Sequence, residues 1–535
     1  MKLIKILILI LGVSVNSFAH IGSAGVVHEG KAGNYQIQVY VEPPDVIPGT
    51  AKITVLTDGT DVRKISAKPI FYWSGDEGSP RSDELLPILG ESGRFEGKIW
   101  LMSSGAASVQ INIEGGRGQG QVLIPIMAVS TAQRSMPMST GWILAALAVV
   151  LVGLMTTIIG ASTGDSLLKP GENENKRIAR RRIIGSSIGA VFCGGLLFVG
   201  NFWWNSWSDD YKQYNLYQPF KANSKVVVQN GQRILNFQID SNSVKNRSLS
   251  YIIPDHGKLM HLFLVRQGTM DAFAHLHPNR KDTLNFVAAL PNLPAGKYLV
   301  YADIMRYHGL QYTITDTVEI PNPVALNSNP LVTDTEDTYV VTNPLGVAKP
   351  TLQDASITIC GTPGVKTLLQ DGSSIVWERN PNDVLKTGQV NNLKFSIIDP
   401  SGKPAELQPY LGMMGHAAIL KDDGSVYIHL HPNGTFSSTA VSVMQKRIDE
   451  TNRRPQLQSA KAFRDSVEAV MAKVSQMSET ERDQFFMPNM KHDAGHHVGE
   501  VTFPYAFPKE GNYRIWLQIK RNGKILTGAF DAKVI

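Results

Sequence analysis

The sequence predicts a mainly β chain of three extracytoplasmic β-sandwich domains, with a two-helix transmembrane anchor after the first and a helical insertion in the last. Three observations predict this. Short alternating apolar and polar runs are punctuated by Gly and Pro. Two apolar runs are long enough to cross a bilayer. The second half of the chain repeats a histidine-bearing motif.

The first domain shows the strand pattern most plainly. Tyr35 to Val41, Ala51 to Leu56, Val109 to Ile113 and Val122 to Ile126 alternate, and Pro43-Pro44 and Pro48-Gly49 interrupt them. Before it, Lys2 and Lys5, the apolar run Ile6 to Val15 and the small-x-small site Ser17-Phe18-Ala19 read as a signal peptide spanning 1–19. Cleavage there makes His20 the first residue of the mature chain. The first domain then occupies 20–138.

Two crossings follow, at 139–162 and 183–206, and Trp203, Trp204 and Trp207 gather at the end of the second as an interfacial belt would. The loop 163–182 between them carries Lys169, Lys176, Arg177, Arg180, Arg181 and Arg182, which the positive-inside rule assigns to the cytoplasm. The signal peptide independently exports the first domain. Both arguments place the chain in a bacterial cytoplasmic membrane with most of its mass on the periplasmic side. The loop is too short for a signalling domain.

Composition narrows the function. The 535 residues are too many for one core, and charged residues are only 18%, below the ~25% of ordinary globular chains. The net charge of +6 is not gathered into a stripe, so nucleic-acid binding has no support. Cys193 lies in an apolar run and Cys360 in a linker-like stretch, so no disulfide is expected. No nucleophile elbow, P-loop, dinucleotide fingerprint or CxxC occurs, and enzymatic function has no positive sequence support.

The chemistry lies in the repeat. One domain, 207–325, carries Leu259-Met260-His261 and then Ala274-His275-Leu276-His277-Pro278. After a linker at 326–375, the last domain, 376–535, carries Met414-Gly415-His416 and then Ile428-His429-Leu430-His431-Pro432. Each copy later has a Pro, Gly, Tyr strand, Leu293 to Tyr298 and Phe507 to Tyr513. Residues two apart on a strand share a face, so His275 pairs with His277 and His429 with His431, while Leu276 and Leu430 point into the core. One hairpin register sets His416 opposite His429 and a tighter one sets it opposite His431; either gathers three imidazoles. His261 bears the same relation to His275 and His277. Imidazole clusters hold transition metals, and copper(II) heads the affinity order. Copper, as Cu+ or Cu2+, is therefore expected ahead of zinc.

Further candidates surround these. Met414, with Met413 and Met260, offers thioether donors for copper(I). A mature N-terminal His20 provides an amino group and a ring nitrogen, which with His28 would make a histidine-brace-like site. Asp303 and His308 follow the first repeat as a carboxylate and a further donor. His492, His496 and His497 lie in a metal-gathering loop within the insertion 440–497. In that insertion Phe463, Val467, Val470, Met471, Val474 and Met477 recur at helical spacing, and Ser478 with Glu481 forms a capping box. The competing expectation is an ectodomain for structure or protein interaction whose histidines serve folding alone.

The segments Pro254 to His261, Ala274 to Pro278 and Tyr301-Ala302-Asp303 resemble bacterial envelope proteins with YtkA-like domains. Gly415 to Pro432, Phe503 to Pro508, and Ala19-His20 through Pro43 to Gly49 resemble other parts of such proteins. The resemblance implies Ig-like sandwiches and metal association linked to copper handling; the function expected is storage, resistance or delivery of copper, with an envelope copper enzyme or transporter as partner. The insertion departs from that compact pattern.

Overall fold

The computed structural model describes residues 20–21, 25–132, 136–168, 171–229, 231–245, 247–322, 334–346, 366–379, 384–450, 454–486 and 499–535. The signal peptide, Cys360 and the 492–497 histidines lie outside them. The chain is mainly β and divides into two units, one of sheets and one built on two long helices.

In the helical unit, Met138–Asp165 and Lys176–Asp210 are both apolar enough to cross a membrane by length and composition. At 1.5 Å per residue each exceeds the ~30 Å hydrocarbon layer. The second helix begins earlier than the apolar run: Asn175 caps it by accepting from the amides of Arg177 and Ile178. The basic residues from Lys176 to Arg182 therefore form its opening turns instead of a loop, because Lys and Arg are good helix formers once a cap is supplied. The two helices meet through small residues. Gly160 and Gly164 on one, and Gly185 and Gly189 on the other, are buried, and a Cβ at Gly185 would fall 2.0 Å from Thr163 Oγ1.

The β unit opens with an eight-stranded antiparallel sheet from Val26–Ala32 to Gly118–Ala128. Its edges meet, since a Cβ at Gly120 would lie 2.1 Å from the Ala32 carbonyl oxygen. The two repeats follow. In each, a four-stranded sheet backs a larger one that contains the histidine hairpin. The first hairpin is His261–Arg266 with Ala272–Leu276, and the second is His416–Lys421 with Val426–Leu430. Each hairpin is flanked by its long Pro-Gly-Tyr strand, Gly296–Arg306 or Gly511–Arg521.

The stretch read as a linker is partly structural. Thr338–Val341 adds to the first hairpin beside Ala272–Leu276, and Lys366–Leu368 and Ser374–Trp377 open the second repeat's smaller sheet. The insertion supplies three helices, Ser438–Asp449, Ala460–Val474 and Glu479–Phe486, and the Ser478–Glu481 capping box closes reciprocally.

Both faces of each hairpin are buried. On one face of the second repeat, Ala417, Ile419, Ile428 and Leu430 enter its own sandwich core. On the other, Ala418, Leu420, Tyr427 and Trp516 pack against Phe263, Phe273 and Tyr301 of the first repeat. The two repeats thus face one another, related by approximate two-fold exchange. Tyr301 of the first stacks on Tyr427 of the second at 4.2 Å, and Trp516 of the second on Phe273 of the first at 4.7 Å.

Candidate metal centre

The registers decide where the histidines go. Ala417 pairs with Leu430 and Ala418 with His429, so the ladder continues to His416 opposite His431, the tighter of the two expected registers. In the first hairpin Leu262 pairs with Leu276 and Phe263 with His275, which sets His261 opposite His277. Directly opposed residues share a face. Both sets of three imidazoles therefore point to the face on which the repeats meet.

The result is one buried group of imidazoles from both repeats. His261, His275 and His277 hold ligand atoms within 4.8 Å of one another, and so do His256, His416 and His431. His429 bridges them, with ring centroids 5.3 Å from His261, 5.5 Å from His275 and 5.3 Å from His416. His256 escaped the hairpin pattern because it precedes His261 by five residues, on a turn closed by mutual Asp255–Lys258 backbone bonds. Its φ of 50° is a left-handed conformation that a non-glycine residue adopts at some cost.

Neighbours orient the rings. His431 Nδ1 donates to the Phe436 carbonyl at 3.1 Å and His277 Nδ1 meets Asp337 Oδ1 at 3.0 Å, while His275 Nδ1 lies 2.9 Å from the Gln518 side-chain amide and 3.3 Å from the Tyr410 hydroxyl. His261 Nε2 donates to the Asp255 carbonyl at 3.1 Å. The carbonyl partners fix the tautomers of His261 and His431 and leave His261 Nδ1 and His431 Nε2 as lone pairs. His261 Nδ1 lies 3.1 Å from His275 Nε2, at hydrogen-bonding distance. Among the described residues, His277 Nε2, His429 Nε2, His431 Nε2 and both nitrogens of His256 and His416 are buried with no hydrogen-bond partner. His256 Nε2 is 3.5 Å from Asp255 Oδ1. A buried polar atom left unpaired costs ~1–3 kcal/mol. Seven such nitrogens together cost an amount comparable to the ~5–15 kcal/mol net stability of a domain.

The supporting groups cross between repeats. Asp303 lies opposite His261, and Gln518 holds the equivalent place opposite His416. Gln518 of the second repeat bonds His275 of the first, while Asp303 of the first stands 3.8 Å from His429 Nδ1 of the second. Burial lifts the Asp303 carboxyl to about 7, against hydrogen bonds from Thr313 and Tyr427. Burial also raises Asp337 to about 7, with Asp334 adding to the rise. Asp255 is held below the usual carboxylate range, because His256, His261, His431 and a Ser437 hydroxyl outweigh its burial. Burial drives the His261 pKa down to about 4, and those of His275, His277, His416 and His429 well below the ordinary value. The rings are thus held neutral, the form that binds a metal.

The remaining candidates sit elsewhere. His28 stacks on Phe436, its Nδ1 bonds the Asn433 carbonyl at 3.1 Å, and its Nε2 has no partner among the described residues. The strand His20–Ile21 pairs in parallel with the second hairpin, His20 opposite Val426. Met414 packs against the second repeat's apolar core. His308 lies outside the imidazole group: its Nδ1 accepts from the Leu310 amide at 3.2 Å, and its ring packs edge-on to Tyr307 and Tyr72.

No curated protein matches the chain. Among solved structures it is similar to dimeric latent PorU from Porphyromonas gingivalis (7% identity, 91% of this chain and 32% of that chain, TM-score 0.13). It is also similar to the ICAM-5 D1–D4 ectodomain fragment (9% identity, 94% and 77%, TM-score 0.15). A third likeness is to SGBP-B from a xyloglucan utilization locus in Bacteroides uniformis (8% identity, 95% and 99%, TM-score 0.16). The chain spans about a third of the PorU chain, and likenesses of this size carry no functional argument. A family model does match, over residues 213–322, 369–465 and 462–535, taking in both histidine hairpins and more than half of the chain. The chain therefore belongs to the family described as a domain of unknown function, DUF8832.

Proposed function

We propose that this chain is a membrane-anchored envelope protein that binds a transition metal, copper first and zinc second, at the buried histidine group. Its role is copper handling by storage, delivery to an envelope enzyme or transporter, or resistance. The observation that carries the reading is the set of buried imidazole nitrogens without a hydrogen-bond partner among the described residues, beside the His261 Nδ1 and His275 Nε2 approach of 3.1 Å. A metal bound by nitrogens at ~2.0–2.1 Å brings its ligands to about that separation. Purely structural histidines would leave the partnerless nitrogens buried without compensation. An all-imidazole donor set suits copper(II) and zinc, and copper(II) stands above zinc in affinity. The resemblance to YtkA-like envelope proteins points the same way. The three ectodomains, the two-helix anchor and the periplasmic placement of the β unit belong to the same proposal.

The test uses the full-length protein in detergent. Copper at one hundred times Kd should stabilise the fold by ~2.7 kcal/mol, read as a rise in Tm. Replacing His275, His277, His429 and His431 together by Ala should abolish the rise and the bound metal found by elemental analysis. Undiminished copper binding in a folded fourfold variant would overturn the assignment and direct attention to His492, His496 and His497.

A further inference from the structure

Resting on that metal-binding reading, we infer that the two repeats hold two metal ions in one shared centre, not two independent sites, with His429 as the element common to both. The second repeat alone supplies too little, and the first repeat's group leans on the second for its orientation. The second repeat's pair His416 and His431 is completed by His256, which the chain contributes from the first repeat. His275 of the first repeat is oriented by Gln518 of the second. Two complete three-nitrogen groups result, and each can take one ion.

The groups are contiguous. The His429 ring lies between them, as close to His261 at 5.3 Å as to His416 at 5.3 Å, and its Nε2 is buried with no partner. The two groups also meet directly, with the His256 and His261 rings 6.3 Å apart, while Phe263 packs 4.2 Å from His275 and 5.0 Å from His429. Three ligands leave each ion an open position, and His429, once its ring proton is released to solvent, can offer one nitrogen to each ion as a bridging imidazolate. Two cations in one enclosed space repel, and the Asp303 carboxyl, 3.8 Å from His429 Nδ1, lies where a counter-charge would offset that repulsion.

The experiment is copper stoichiometry with electron paramagnetic resonance on the full-length protein in detergent, loaded with copper(II) and freed of excess metal. Two coppers per chain are expected, with an integrated spin well below the copper content because neighbouring ions couple. In His429→Ala, coupling should vanish, so that the integrated spin equals the copper retained. In His256→Ala, one copper per chain should remain with full spin. His308→Ala, outside the centre, should behave as the parent and controls for loss of fold. Two coppers with full spin in the parent would mean separate sites and overturn the inference, as would a single copper per chain. Absence of any bound copper would instead overturn the metal-binding reading itself.

Discussion

Seven imidazoles enclosed with few proton donors make this protein's stability depend on pH in a defined direction. A buried ring such as His261 has its pKa lowered by burial from the unfolded value near ~6.5 to about 4. The unfolded chain therefore binds more protons between those values, so the folded state is fully favoured above ~6.5 and loses stability as pH falls toward 4. At pH 5 one such ring costs roughly 2 kcal/mol, and several together exceed a domain's margin. The metal-free protein should unfold, by circular dichroism, as pH drops from 6.5 toward 5, and bound copper should move that transition to lower pH. A metal-free protein stable at pH 4.5 would contradict the burial of neutral rings. Asp337 gives a second residue-level expectation. Asp337→Ala removes the acceptor that orients His277 and should weaken copper binding ~10–100-fold while the fold persists, measured by competition with a chelator of known affinity. Six of the seven rings were legible in the sequence because HxHP recurs with a histidine upstream in each copy. His256 was not, since a left-handed residue in a loop has no periodicity to betray it. Asp337 and Gln518 were equally silent, one inside an apparent linker and one in an ordinary strand.

At the scale of elements, the hairpins were legible and their partnership was not. Alternation marks a strand with one wet face, but Ala417 to Leu420 and Val426 to Leu430 are buried on both faces and read as continuous apolar runs. Nothing in such a run says which face meets a sheet some 150 residues distant. The contact is held by more than apolar burial. Arg514, fully buried in the second repeat, pairs with Asp531 at 2.7 Å and donates to the carbonyls of Met270 and Asn343 in the first, each at 2.8 Å. Its removal takes the buried guanidinium from the Asp531 carboxylate and from two carbonyls of the first repeat. Arg514→Ala should cost ~3 kcal/mol in denaturant unfolding. It should also weaken copper binding, because the centre requires both repeats in register. A loss of stability with unchanged copper affinity would show that the repeats hold their sites separately.

At the scale of the whole molecule, the proposed disposition across the membrane rests on charge. The helix Lys176–Asp210 begins with Lys176, Arg177, Arg180, Arg181 and Arg182 and ends near Trp203, Trp204 and Trp207. Arg182 is tied to Asp165 and Glu174, so part of the positive charge is paired, yet the cluster still outweighs its acidic neighbours. On the proposed topology, retention of Lys and Arg on the cytoplasmic side would hold the turn between the helices inside and set the Trp cluster at the opposite interface. Two crossings would then bring the first domain and both repeats out on one side. Reporter fusions at Gly115 and after Ile535 should therefore be active in the periplasm, and a fusion at Asn173 should be active in the cytoplasm. Reversing the sign of the five basic residues should weaken or invert the pattern. A cytoplasmic C-terminus in the unaltered protein would place the histidine centre in a compartment whose thiols compete for copper, and the proposed role in envelope copper handling would fall with it.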